Sequence, residues 1–235
     1  MKPFIQKFGI TIYLLILMLH LFAQLLGYTS IQYGSKLILL PLLMLFFYVQ
    51  PFFATAAKSK YLILIGLFGS FLGDAFLLSE AYFIPGMIAF MTTHIFNIIF
   101  FSKIYSLKQP KSTAYKVSSS LLLFFCWFIY FQLKTAIGPL IYPILVYMAL
   151  ICLAALIAIH VSNNKPTKMV ANLFWTPGML FFIASDTVLA FNKFSWSMQS
   201  PIENIGLVTM STYGIAQLLL VKGFQLYFAK EEQAV

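Results

Sequence analysis

Arginine is absent from the 235 residues; all 15 basic residues are lysines. Without guanidinium groups the chain lacks the planar, bidentate donors that read base edges and clamp phosphates. Its net charge of +9 is therefore no sign of nucleic-acid binding. Acidic residues number only 6, and charged residues of either sign make up 9% of the chain, where a soluble domain carries roughly 25%. Cysteine occurs twice, as Cys126 and Cys152, both inside apolar runs. They read as small core hydrophobes and suggest neither a disulfide framework nor a zinc site. The three histidines, His20, His94 and His160, fall in separate segments, so no metal and no other cofactor is expected. What the chain does have is apolar surface: 61% hydrophobic residues, 26 Phe, 13 Tyr and a mean hydropathy of +0.91. That content excludes a disordered chain and requires lipid as the solvent.

A spanning helix needs about 20 mostly apolar residues. Such stretches run near Phe8–Leu26, Tyr33–Phe53, Tyr61–Ser79, Phe83–Phe101, Ser118–Leu133, Gly138–Ile159, Asn172–Ala190 and Asn204–Val221. Pro41 interrupts the second, which membrane helices tolerate. Lys2 and Lys7 precede the first as they would a signal peptide, but seven spans follow and no small-residue cleavage site stands out, so a retained anchor is expected. The expected fold is all-α: a polytopic bundle of eight transmembrane helices, one domain over residues 1–235, with no soluble domain. Its Phe-rich stretches are expected to face lipid.

The lysines give the orientation. Lys2, Lys7, Lys58, Lys60, Lys103, Lys108, Lys111, Lys116, Lys165, Lys168, Lys222 and Lys230 fall on one face, and only Lys36, Lys134 and Lys193 on the other. By the positive-inside rule the face with twelve is cytoplasmic and both termini are inside. A multi-pass protein of the cell (inner) membrane is expected, with the lipid bilayer as its constant partner.

Polar groups inside the spans are the candidates for chemistry. The chain has two aspartates, Asp74 and Asp186, each four or five residues before the outer end of its span. A carboxylate at mid-membrane costs roughly 2.5–3.5 kcal/mol on insertion scales, and such residues mark functional sites by default. Gly66, Gly69, Ser70, Gly73 and Asp74 form one narrow stripe at i, i+3, i+4, i+7 and i+8, suited to close helix approach. Gly178, Ser185 and Asn192 share a face beside Asp186, and Thr209, Tyr213 and Gln217 recur at four-residue steps. His94 and Asn97 share a face, as do His20 and Gln24, and Lys36 stands at the outer mouth of the second span. The bland alternative for the aspartates, His94, Tyr213 and Gln217 is structural hydrogen bonding between helices; Lys36 can snorkel to the interface or meet a phosphate or carboxylate. His20 is expected to bond locally, and His160, at the cytoplasmic boundary, needs no role.

Two carboxyl groups at one depth in a low-dielectric site rarely both ionise. They would supply a protonated acid beside a carboxylate base. Ser185 adjoins Asp186, but a serine nucleophile also needs a positioned base. The residues alone therefore leave an acid/base hydrolase and a proton-coupled carrier both open.

The run Gly69-Ser-Phe-Leu-Gly-Asp74-Ala-Phe-Leu-Leu78 resembles the Gly-Asp motif of the YhhN-type lysoplasmalogenase family of eight-helix membrane proteins. Pro85–His94, Gly178–Phe194 and Tyr213-Gly-Ile-Ala-Gln217 are similar to three further motifs of that family, in order. Pro143 and Tyr147 agree with its sixth helix, and Lys36 with a lysine opening its second. Two positions depart from the pattern: Leu37 follows Lys36 where proline is usual, and Asn97 stands where an aromatic commonly follows the histidine by three. The resemblance implies hydrolysis of the vinyl-ether bond of a lysophospholipid, a lysoplasmalogen, to a fatty aldehyde and glycerophosphoethanolamine or glycerophosphocholine. It implies Asp74 and Asp186 as catalytic residues and Lys36, His94, Ser185, Asn192, Tyr213 and Gln217 as substrate-binding ones. An intramembrane aspartyl protease is disfavoured, because Phe71 occupies the first glycine position of its Gly-x-Gly-Asp motif. A transporter and a non-catalytic lipid-binding protein remain the alternatives.

The lysine distribution makes a direct prediction. Reporters fused at Met1 and at Val235 should both appear cytoplasmic, and one inserted between Lys193 and Glu203 should appear outside. Termini on opposite sides would remove the eight-span arrangement.

Overall fold

In a computed structural model of the chain, which describes residues 2–51, 57–196 and 200–233, the regular elements are all helical. Seven stretches among the described residues are long and apolar enough to cross a membrane. Four are carried by α1 (Lys2–Leu25), α2 (Thr29–Tyr48), α3 (Ala57–Phe76) and α4 (Phe83–Ile104). The fifth is the 49-residue run Thr113–Val161. It comprises α5 (Thr113–Ile137) and α6 (Ile141–Val161), joined through a 3-10 turn at Gly138–Leu140. The last two are α7 (Lys168–Ser195) and α8 (Ile205–Gln233). Pro41 lies within α2 without ending it. The expected end of the second span at Phe53 lies outside the described residues, and α2 stops at Tyr48.

Local chemistry accounts for several ends. The Ser112 hydroxyl accepts the Tyr115 amide at 3.1 Å, capping α5 as a serine N-cap does. At the other end of α5, Gly138 has φ +59°, a left-handed backbone that only glycine adopts without strain. The final carbonyls of α2 are taken by side chains from its neighbours: Lys60 Nζ donates to Tyr48 O at 2.6 Å and Gln6 Nε2 to Val49 O at 2.5 Å. Within α7 two π turns, Ala171–Trp175 and Phe191–Ser195, flank the α-helical segment Thr176–Ala190.

Contacts divide the chain into two compact units, Met1–Phe100 with Leu218–Val235, and Phe101–Gln217. In the first, α1 packs on α2 and α2 on α3. Gly9 admits the Phe46 ring, which lies 2.6 Å from where a Cβ would be. Here the expectation that the phenylalanines face lipid is overturned for a large group of them. Phe47, Phe100, Phe224 and Phe228 are all buried, with ring centroids 5.1–6.4 Å apart, because edge-to-face and tilted rings fill a helix interface densely. In the second unit α5 packs on α6, α6 on the central segment of α7, and α5 also on the last π turn of α7. Phe101 packs against Trp175, both fully buried. Cys126 and Cys152 are free thiols on α5 and α6, Sγ to Sγ 3.2 Å apart.

The glycine stripe of α3 does what its spacing predicts. A Cβ on Gly69 would stand 2.8 Å from the Ala89 carbonyl of α4, and one on Gly73 2.5 Å from the Phe90 ring, whereas one on Gly66 would make an ordinary 3.5 Å contact. The helices therefore touch backbone to backbone at Gly69. Gly69→Ala should destabilise the protein by about 1–3 kcal/mol, the usual cost of overpacking, and Gly66→Ala should be near neutral. Thermal unfolding in one detergent checks both; equal behaviour of the two variants would contradict this packing.

Candidate functional site

Asp74 is only 3% exposed, two residues before the end of α3. The Lys36 ammonium on α2 lies 3.9 Å from its Oδ1. Lys36, for which the sequence allows snorkelling or a phosphate or carboxylate partner, thus has a carboxylate beside it. Tyr13 of α1 is wholly buried and close enough for the Asp74 charge to act on it. About two turns further along α1, His20 is buried and its Nδ1 lies 2.9 Å from the Ser35 hydroxyl of α2 and 3.1 Å from the Gln32 carbonyl. Three helices thus bring Tyr13, His20, Ser35, Lys36 and Asp74 into one polar region of the first unit. Below it, Thr93 donates to the Gly66 carbonyl at 2.8 Å, which leaves Ser70 to donate to Thr93 Oγ1 at 3.0 Å. These bonds use the carbonyl and hydroxyl that the close α3–α4 contact would otherwise strand. His94, next to Thr93, is fully buried in the middle of α4.

In the second unit, Asp186 lies on α7, where its Oδ2 accepts a hydrogen bond from the Tyr147 hydroxyl of α6. Ser185 donates to the Thr209 carbonyl of α8 at 3.0 Å. That bond spends its hydroxyl proton on the backbone, so Ser185 holds two helices together rather than handing its proton to a base. Tyr213 meets Phe182 edge to face, centroids 5.5 Å apart, and Gln217 is 1% exposed. Asn192 sits in the second π turn of α7 with Lys193, a local geometry frequent at functional sites.

Of the candidates, the structure brings Lys36 and Asp74 together in the first unit, with His94 on α4 of the same unit. Asp186, Ser185, Asn192, Tyr213 and Gln217 all belong to the second, where the contacts of Tyr147 with Asp186, Ser185 with Thr209 and Phe182 with Tyr213 link α6, α7 and α8. Tyr13 and the contact between Tyr147 and Asp186 were not anticipated. Tyr13 is one of 13 tyrosines and gives no signal of its own. Tyr147 has one: it lies six residues into α6, about 9 Å from its start, comparable to the distance of Asp186 from the end of its own α-helical segment.

A helical chain with apolar stretches long enough to cross a membrane, whose two aspartates are each engaged by a polar side chain of a neighbouring helix, defines a class of intramembrane site. Residues 31–224 match the YhhN family, and the chain belongs to that family. A human relative, lysoplasmalogenase TMEM86A, is 30% identical over 178 residues, covering 72% of this chain and 67% of the relative. No solved structure matches the chain.

The contact of Lys36 with Asp74 can be measured. Removing one partner strands the other's charge in a buried setting, so Lys36→Met should cost more in an Asp74 background than in Asp74→Asn. A double-mutant cycle on unfolding in detergent should give a coupling of about 0.5–3 kcal/mol; additive losses would mean that the two groups do not interact.

Proposed function

We propose that this chain is a lysoplasmalogenase that hydrolyses the vinyl-ether bond of lysoplasmalogens by aspartate acid/base catalysis. The observation that carries the activity is the 30% identity, over 72% of the chain, to a relative of that name. The observation that supports the chemistry is the setting of the two aspartates, one beside an ammonium and one beside a phenol. The chain crosses the membrane eight times in this reading, with both termini cytoplasmic. The break at Gly138 supports it, since 49 continuous helical residues would span about 74 Å against a hydrocarbon core of about 30 Å. A reporter at Gly138–Leu140 should therefore appear outside.

A vinyl ether reacts when a proton is added to its β-carbon, which leaves an oxocarbenium ion. Water attacks the cationic carbon and loses a proton, and the resulting hemiacetal collapses to a fatty aldehyde and the glycerophospho-alcohol. Asp186 is assigned the proton donation. Asp74, ion-paired with Lys36, is assigned the carboxylate that stabilises the cation and orients water. His94, Asn192, Tyr213 and Gln217 are assigned to binding the lipid, with Ser185 holding α7 to α8 beside them.

Purified protein supplied with an alkenyl lysolipid should release fatty aldehyde, and with the acyl lysolipid of the same headgroup it should not. Asp74→Asn and Asp186→Asn should each lower the rate by at least about 100-fold, the low end of acid/base contributions, while the protein still inserts. The double variant should lose little more, since groups acting as a unit are non-additive. A chelator should leave the rate unchanged. The rate should fall both at low pH, where the base is protonated, and at high pH, where the acid is lost. Aldehyde release at the wild-type rate by either single variant would remove that aspartate from the mechanism.

A further inference from the structure

The second unit carries a charge imbalance that the hydrolytic reading does not use. Residues 81–185 contain no Asp or Glu, yet Lys103, Lys108, Lys111, Lys116, Lys165 and Lys168 all fall in that stretch. Five of the six are exposed, and Lys111 is half-buried. Asp186, the next carboxylate along the chain, is 18 residues beyond Lys168 on α7, about 27 Å away along the helix. The segment after α4 is folded onto the end of α6. His160, fully buried there, has its Nε2 3.2 Å from the Ser106 carbonyl and 3.3 Å from Lys111 Nζ. Tyr105 and Tyr115 cover the His160 ring at centroid distances of 4.7 and 5.5 Å, and Lys111 lies over the Tyr115 ring. This contact fixes the Lys108–Lys111 segment at the same end of the unit as Lys116, at the start of α5. From Lys116 onward, Val117, Leu121, Phe124 and Phe128 recur at i, i+4, i+7 and i+11, one face of α5, and are 43–63% exposed. A basic cluster thus continues directly into an uncovered apolar stripe.

We propose that this end of the second unit binds an anionic phospholipid, its phosphate held by Lys108, Lys111 and Lys116 and an acyl chain lying along Val117, Leu121, Phe124 and Phe128. Positive charge in loops is general to membrane proteins; the specific feature is a lysine group held in place by a buried histidine contact and joined to an apolar stripe. Charge complementarity selects the partner. Among the described residues Lys108, Lys111 and Lys116 form no ion pair with a carboxylate, Lys111 also donates to the Leu107 carbonyl, and the lipid surface supplies an anion beside the cluster. A nucleic acid or an acidic protein would leave the apolar stripe unfilled. Binding at this surface is independent of hydrolysis, so it stands or falls separately from the proposed activity.

The test uses the full chain in nanodiscs of phosphatidylcholine with a minor fraction of phosphatidylglycerol, counting lipids that remain bound by native mass spectrometry. The wild type should retain phosphatidylglycerol over phosphatidylcholine. The variant Lys108→Gln/Lys111→Gln/Lys116→Gln should lose roughly tenfold or more of that preference, and Lys134→Gln, at the far end of α5, should keep it. Raised salt should weaken retention in the wild type more than in the triple variant. Should the triple variant fail to insert, the single variant Lys111→Gln carries the same expectation in direction. Leu121→Asn should weaken retention of both lipids at the stripe. Equal retention of the two lipids by the wild type, or an unchanged preference in the lysine variants, would overturn the proposal, as would displacement of phosphatidylglycerol by an acidic peptide with no effect of Leu121→Asn.

Discussion

A polar side chain carried into lipid has no water to fall back on, so its hydrogen bonds must be found on another helix. In this protein those bonds determine which helices meet and where. His20 of α1 reaches Ser35 of α2, Lys36 of α2 reaches Asp74 of α3, and Thr93 of α4 reaches the Gly66 carbonyl of α3. In the second unit Tyr147 of α6 reaches Asp186 of α7, and Ser185 of α7 reaches the Thr209 carbonyl of α8. Apolar packing alone would not choose among these faces, because lipid tails are as apolar as leucine. The polar contacts and the small residues that permit them supply the choice.

The same requirement places both aspartates where helices meet. Groups that fix helix register are the groups with the largest differential effect on charge, and burying them in a low-dielectric setting strengthens each interaction they make. Asp74 lies next to an ammonium and Asp186 next to a phenol. Two chemically identical side chains are thus given different surroundings, the general device by which carboxylates come to serve different roles.

Much of this was legible in the sequence, and for a physical reason in each case. Apolar runs near 20 residues reflect the bilayer itself, which is uniform and leaves a strong imprint. Gly69 and Gly73 of the α3 stripe were legible because the close approach of α4 admits nothing larger there. The aspartates stood out because a carboxylate in an apolar run is costly. Less legible were contacts made by residue types abundant everywhere. Nothing separates Tyr13 from the other tyrosines until a partner is seen, and the phenylalanines around Phe47 look the same in sequence whether they face lipid or each other. His160 illustrates the remaining gap. Its position at a helix end suggested no role, yet a folded-over loop buries it completely.

The π turn at Phe191–Ser195 adds something to how the strongest motif of the chain is read. A π turn accommodates one residue more than an α-helical turn does, so everything beyond it is rotated about 100° from the face an ideal helix would give it. Asn192 and Lys193 follow Asp186 in a single uninterrupted stretch, and a strict heptad count puts Asn192 on the Gly178–Ser185 face. The turn uncouples that count from direction. The motif therefore joins an α-helical part that carries Asp186 to a π turn that carries Asn192 and Lys193, with a change of phase between them.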